Sequence, residues 1–166
     1  MLAQRFEPTT TQFKAVTIHM KDRLLKRQGC RMNTPSNKNI HDKTWTTRIA
    51  GAKDLDALAR FSASTARESE GVEIDPSFIR DGLAKVIENP DLGCMFIAEE
   101  GDTPLGSGLL NGREFTEWRN GIFYWVTGMY VIPEYRRRGV RFDLYRAAYG
   151  WAKAQPDALG LRAYVH

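Results

Sequence analysis

The chain has 166 residues, 42% of them hydrophobic and 27% charged, a composition that suits one globular domain with its own core. No uninterrupted apolar run approaches the roughly 18–20 residues of a membrane helix, and the N-terminus lacks a signal-type apolar stretch, so no membrane partner and a cytoplasmic location are expected. The net charge of +4 is uneven: residues 1–43 carry nine Lys/Arg against three Asp/Glu, and the remainder fifteen against seventeen.

The isoelectric point of 9.2 therefore reflects residues 1–43. This stretch is rich in Thr, Asn, Lys and Arg and shows no sustained periodicity, so it reads as a basic, disordered extension. A short helix over Phe13–Arg27 is the one element its pattern allows, with Phe13, Val16, Met20 and Leu24 at helical spacing. Met32 is an alternative start.

From residue 44 the pattern sharpens into one domain, 44–166. Trp45–Ile49 has strand propensity. Asp54 is placed to cap a helix carrying Leu55, Leu58, Ala59 and Phe61 on one face. Asp75-Pro76 opens a second helix, with Phe78, Ile79, Leu83, Val86 and Ile87 as its apolar stripe, and Asn89-Pro90 ends it. Strands follow at Cys94–Glu99 and Leu105–Leu110, separated by the Gly101-Asp102 turn. Residues 111–120 read as a polar connection. Gly121–Val131 is a long aromatic and β-branched strand. Arg138–Lys153 has helical spacing, with Phe142, Leu144, Tyr145, Ala148 and Trp151 available for a buried face. Pro156-Asp157 breaks that helix, and Leu159–Val165 is a last strand. The order βααβββαβ implies an α/β fold with a central mixed sheet flanked by helices.

Cys30 and Cys94 are far apart and lack metal-ligand spacing, and no metal is expected. Cys94 lies in an apolar run and reads as a core residue. His19, His41 and His166 carry no assigned role.

The chemistry concentrates between Val131 and Arg141. A strand ends at Ile132-Pro133, a basic loop follows at Arg136-Arg137-Arg138-Gly139, and a helix begins. The first N–H groups of a helix lack intrahelical acceptors and carry partial positive charge, which makes them a phosphate site. Gly139 lets the backbone approach an anion, and the arginines add field and fork-like donors. No aromatic-rich RNA-binding motif accompanies the arginines, so nucleic acid is not an expected partner.

Arg136, Arg137-Arg138, Gly139, Val140, Arg141 resembles the signature of the GNAT superfamily: Arg or Gln, two residues, Gly, one residue, then Gly or Ala. Tyr130–Tyr135 resembles that family's strand end, and Leu144-Tyr145 and Gly160–Val165 its third helix and fifth strand. Glu117-Trp118-Arg119-Asn120-Gly121 resembles a Trp-Arg-Asn-Gly turn of one bacterial branch. Arg141 departs from the pattern, since a small residue usually stands there.

The resemblance implies an N-acetyltransferase using acetyl-CoA on a small-molecule or protein amine. The backbone of Met129 and Val131 would hold the pantetheine arm, and N–H groups from Arg137 to Arg141 the pyrophosphate. A fourth-strand N–H would stabilise the oxyanion, and a carboxylate would deprotonate the amine. Glu114 and Glu117, ahead of that strand, are the general-base candidates; Trp118, Phe123 and Trp125 are candidates for the acceptor side. The family's last helix and hairpin have no counterpart here, and no residue matches its catalytic Tyr. An unpaired last strand would then be exposed for pairing, as in a homodimer. The alternative is a degenerate or truncated domain that binds CoA without catalysis.

Overall fold

The computed structural model describes residues 14–19 and 43–165. Six strands form one mixed sheet: β1 (Lys14–His19), β2 (Thr46–Ile49), β3 (Cys94–Glu100), β4 (Thr103–Thr116), β5 (Gly121–Val131) and β6 (Ala158–Val165). The spatial order is β1-β6-β5-β4-β3-β2. All neighbours are antiparallel except β5 and β6, which run parallel and are connected through a helix.

Helices α1 (Leu55–Glu70) and α2 (Pro76–Glu88) and helix α3 (Val140–Lys153) pack with two separate cores. Leu58, Phe61 and Leu83 join Met95, Ile97 and Tyr130. Leu144, Ala148 and Ala152 join Phe96, Tyr124, Val126 and Leu161. Strand alternation sends neighbouring residues such as Phe96 and Ile97 to opposite cores. Leu58, Ile97 and Leu144 have no exposed surface, and burial of such side chains contributes about 1.5–3 kcal/mol each. Cys94 belongs to this core; burial pushes its thiol up to about 11.

Several expectations are corrected. The segment Lys14–His19 is a strand, not part of a helix, and it pairs with β6 along its length, from Lys14↔Val165 to His19↔Gly160. Its consecutive β-branched residues Val16, Thr17 and Ile18 suit a strand, and tertiary pairing outweighs a weak helical spacing. The last strand is thus not the free edge expected, because β1 occupies its outer side. The rest of the basic extension, including the remainder of the expected helix, His41 and Met32, lies outside the described residues.

Residues 111–116, expected as a connection, continue β4 opposite β5. β3 stops at Cys94, opposite Leu110, so this hairpin overhangs the sheet. Asp54 makes no side-chain cap to α1. Its carboxylate instead accepts from the Gly51 N–H at 2.8 Å and both terminal nitrogens of Arg48 at 2.7 and 2.9 Å. Arg48 also holds Glu99, so the trio staples β2, β3 and the start of α1. Asp75 does cap α2, accepting from the Ser77 N–H. Phe78, placed in the apolar stripe of α2, is 81% exposed.

Candidate active site

β5 carries an irregularity that shapes everything beside it. Its pairing with β4 shifts between Leu109↔Thr127 and Ser107↔Tyr130, which leaves Gly128 and Met129 outside the register. Gly128 has φ 54°. Such a bulge twists and bends the strand that bears it. On the other side, pairing of β5 with β6 stops at Val126↔Ala163. β5 nevertheless runs on to Val131, and β6 runs on to Val165 with β1 as its partner. The two parallel strands therefore part, and residues 127–131 face a gap.

The backbone of that stretch can be oriented. The Tyr130 carbonyl lies against Gly106, where a Cβ would sit 2.4 Å from it. The Ile132 N–H donates to Leu105 at 2.9 Å. Alternation then turns the Met129 and Val131 peptide groups toward the gap. One of them is engaged: the Val131 carbonyl accepts from Arg136 Nε at 2.8 Å.

The loop after β5 runs through a short 3-10 turn, Pro133–Tyr135, into α3. Arg137 has φ 62° and Gly139 has φ 103°. A left-handed conformation costs a non-glycine residue about 1–2 kcal/mol, and observed strain of this kind gathers at functional sites. Gly139 is the N-cap of α3 and offers no side-chain cap. Among the described residues, the N–H groups of Arg137 to Phe142 have no hydrogen-bond acceptor. Six successive open donors at a positive helix end have the geometry of an anion cradle.

The arginines divide their tasks. Arg136 turns toward α1 at the surface, donating to both carboxylate oxygens of Glu68 at 3.0 and 2.8 Å. The guanidinium holds the Glu68 carboxyl below its usual range. It also lies 5.4 Å from the Tyr130 ring centre. Arg138 stacks 4.4 Å from the Tyr135 ring centre and 5.9 Å from that of Trp45. Trp45 in turn donates to Asp143 of α3 at 3.0 Å. Arg137 is exposed and makes no ion pair or hydrogen bond among the described residues. Arg141 is also exposed, its guanidinium 6.0 Å from the Tyr145 ring centre on the next turn. That side chain follows the helix outward and leaves its own N–H in the cradle.

The two carboxylates differ. Glu114 belongs to β4, not to a loop, and accepts from Arg162 of β6 and from Trp125 Nε1 at 2.9 Å. Arg162 and then Trp125 hold its carboxyl below the usual range. Arg162 lies 4.3 Å from the Phe123 ring centre, and Trp125 stacks on Tyr164 at 4.6 Å. Glu117 and Trp118 are exposed in the β4–β5 turn, Trp118 at 89%. The structure thus gathers Glu114, Phe123 and Trp125 into one cluster and leaves Glu117 and Trp118 outside it.

Sequence reasoning missed Glu68, Trp45, Tyr135 and Arg162, whose roles depend on contacts between distant segments. Only the bulge had a local signal, a glycine inside an apolar strand. Among the described residues no group of three or more His, Cys, Asp or Glu could hold a metal, and no helix is long and apolar enough to cross a membrane.

Residues 55–166 match the acetyltransferase (GNAT) family. No curated protein sequence matches the chain. A possible acetyltransferase from Clostridium difficile 630 superposes with a TM-score of 0.65 at 28% identity, over 75% of this chain and 81% of its own. A GCN5-related N-acetyltransferase from Ralstonia eutropha JMP134 does so with a TM-score of 0.56 at 20% identity, over 74% and 82%. A predicted acetyltransferase with acetyl-CoA from Clostridium acetobutylicum gives 0.55 at 21% identity, over 66% and 73%. The last two likenesses bear on the fold alone.

Proposed function

Because the chain belongs to the GNAT family of acetyltransferases, we propose that it transfers the acetyl group of acetyl-CoA to an amine, of a small molecule or a protein, by direct attack on the thioester. The observation that carries this reading is the parting of β5 and β6 beside the open N–H groups of residues 137–142. One feature accepts an extended, amide-bearing chain, and the other accepts a pyrophosphate. The cosubstrate supplies the activated acetyl group.

In this reading the N–H groups of Arg137 to Arg141 hold the pyrophosphate, and the Arg137 side chain adds a fork to its oxygens. Arg136 and Arg138 position the loop, Arg136 through Glu68 and Arg138 through the Tyr135 and Trp45 rings. Met129 and Val131 meet the pantetheine amides with the backbone groups that face the gap. Because Arg136 engages the Val131 carbonyl, Val131 contributes its N–H.

The amine must lose a proton before it attacks. Glu114 and Glu117 remain the candidates for that step. Arg162 keeps Glu114 ionised but lowers its basicity, which favours a second reading: a domain that binds CoA without turning it over.

Calorimetry with acetyl-CoA tests the first half. Saturable binding near one equivalent is expected, and its absence would refute the cofactor reading. A coupled thiol-release assay over a panel of amines tests the second half. Release with no amine despite cofactor binding selects the non-catalytic reading.

A further inference from the structure

Arginines stand at 136, 137, 138 and 141 around the start of α3. The fold employs two of them, pairing Arg136 with Glu68 and laying Arg138 against the Tyr135 and Trp45 rings. Arg137 and Arg141 are exposed, and neither has a carboxylate partner among the described residues. Arg141 is the second residue of α3. A cation in the first turn of a helix is opposed by the partial positive charge of the open N–H groups. Arg141 therefore works against the helix that carries it, and it does so where the GNAT signature usually has glycine or alanine. A bound anion reverses that sign.

The helix sets the direction of this side chain. Val140, Leu144, Ala148 and Ala152 form the buried stripe of α3. Residues two apart on a helix are separated by about 200°, so Arg141 and Asp143 lie on opposite flanks of that stripe. Asp143 reaches Trp45 and Lys43, on the β2 side of the sheet. Arg141 thus lies on the flank toward β6, beside the place where β5 and β6 part. Tyr145 follows one turn later on the same flank, its ring centre 6.0 Å from the Arg141 guanidinium.

We infer that the Arg141 side chain binds the 3′-phosphate on the ribose of CoA, and so makes this chain select CoA over its dephospho form. The inference rests on the acetyl-CoA reading and adds a contact that the backbone N–H groups do not make. The 3′-phosphate sits one sugar away from the pyrophosphate, a span that a long side chain rooted in the cradle covers. A phosphate monoester offers paired oxygens to a guanidinium fork. Arg137 stays with the pyrophosphate, and Arg136 and Arg138 are committed to the fold, which leaves Arg141 as the cation of the loop for the third phosphate.

Calorimetry of the full chain with acetyl-CoA and with acetyl-dephospho-CoA tests the assignment. The parent should bind acetyl-CoA about tenfold or more tighter, the usual worth of a charged hydrogen-bonded contact. Arg141→Gln keeps the backbone N–H and a good helix former. It should lose that factor with acetyl-CoA and bind acetyl-dephospho-CoA like the parent. Arg137→Gln should weaken both ligands and keep the preference. Equal affinity of the parent for the two ligands overturns the assignment and leaves the cofactor reading standing. So does a preference that survives Arg141→Gln or disappears in Arg137→Gln. Binding of neither ligand overturns the cofactor reading and the assignment together. Without ligand, Arg141→Gln should melt at or above the parent Tm, because a cation leaves the helix start. A clear fall in Tm would assign Arg141 to the fold instead.

Discussion

Two glycines of the same helix should respond to the same substitution with opposite signs. Gly139 begins α3 at φ 103°, and Gly150 lies inside it on the exposed side. A Cβ added at either meets nothing within 4 Å, so sterics with neighbours cancel from the comparison. Only backbone conformation remains. At Gly139 an alanine must adopt a left-handed geometry, which costs about 1–2 kcal/mol. At Gly150 an alanine gains about 0.5–1 kcal/mol from better helix propensity and a less flexible unfolded chain. Thermal melting should therefore show Tm lower by about 2–8 °C for Gly139→Ala and higher by about 1–4 °C for Gly150→Ala. Calorimetry with acetyl-CoA provides the second readout. If the chain relieves strain at residue 139 by moving the loop, the cradle is misaligned. Each 1.4 kcal/mol then appears as a tenfold loss of affinity, whereas Gly150→Ala leaves affinity alone. Unchanged Tm and unchanged affinity in Gly139→Ala would refute the claim that the loop needs this conformation.

Charge reversal at Arg137 should weaken acetyl-CoA binding at least tenfold, with a shallower salt dependence, measured by calorimetry at two ionic strengths; equal affinity argues against its contact with the pyrophosphate. Asp54→Asn should cost about 2–3 kcal/mol at neutral pH in urea denaturation, because Asp54 is buried and Arg48 loses its paired charge. Arg48 depresses the Asp54 carboxyl in the folded state. Its contribution is therefore full above the ordinary carboxylate value and lost as pH falls through the depressed one. The difference between parent and variant should shrink below about pH 4, and a constant difference down to pH 2 would contradict the assignment. Removing residues 1–43 should uncover β6 and produce self-association in light scattering with a lower Tm; a monomer that melts like the parent would show that β1 adds nothing.

The sequence and the structure agree where the pattern was local. Leu55, Leu58, Phe61 and Leu83 announced their helices by spacing, and all are buried. The alternation in β3 and β5 announced strands, and the loop announced itself by three arginines and a glycine before a helical stretch. Contacts between distant segments were hidden. Arg136 looks like its neighbours in the sequence but turns to Glu68, sixty-eight residues away. Glu114 read as a loop carboxylate because Asn111, Gly112 and Arg113 are poor strand formers. Pairing with β5 and the Arg162 and Trp125 contacts override that weak preference. Lys14–His19 was too short and too remote from its partner for any periodicity to reveal where it docks.

The placement of β1 beside β6 also fixes an order of events during synthesis. β1 leaves the ribosome near the start, but its partner is made only after every other element described here. Until then β1 has no edge to join, and β5 lacks its parallel neighbour. The hairpins β3–β4 and β4–β5 are built from near neighbours in sequence and can assemble early. The pairings of β6 with β5 and with β1 must wait, since such long-range pairings form slowly. During that interval the Ala15–Ile18 stretch and the β5 edge are open to other chains. A chain interrupted only a few residues before β6 would lose two strands of the sheet rather than one.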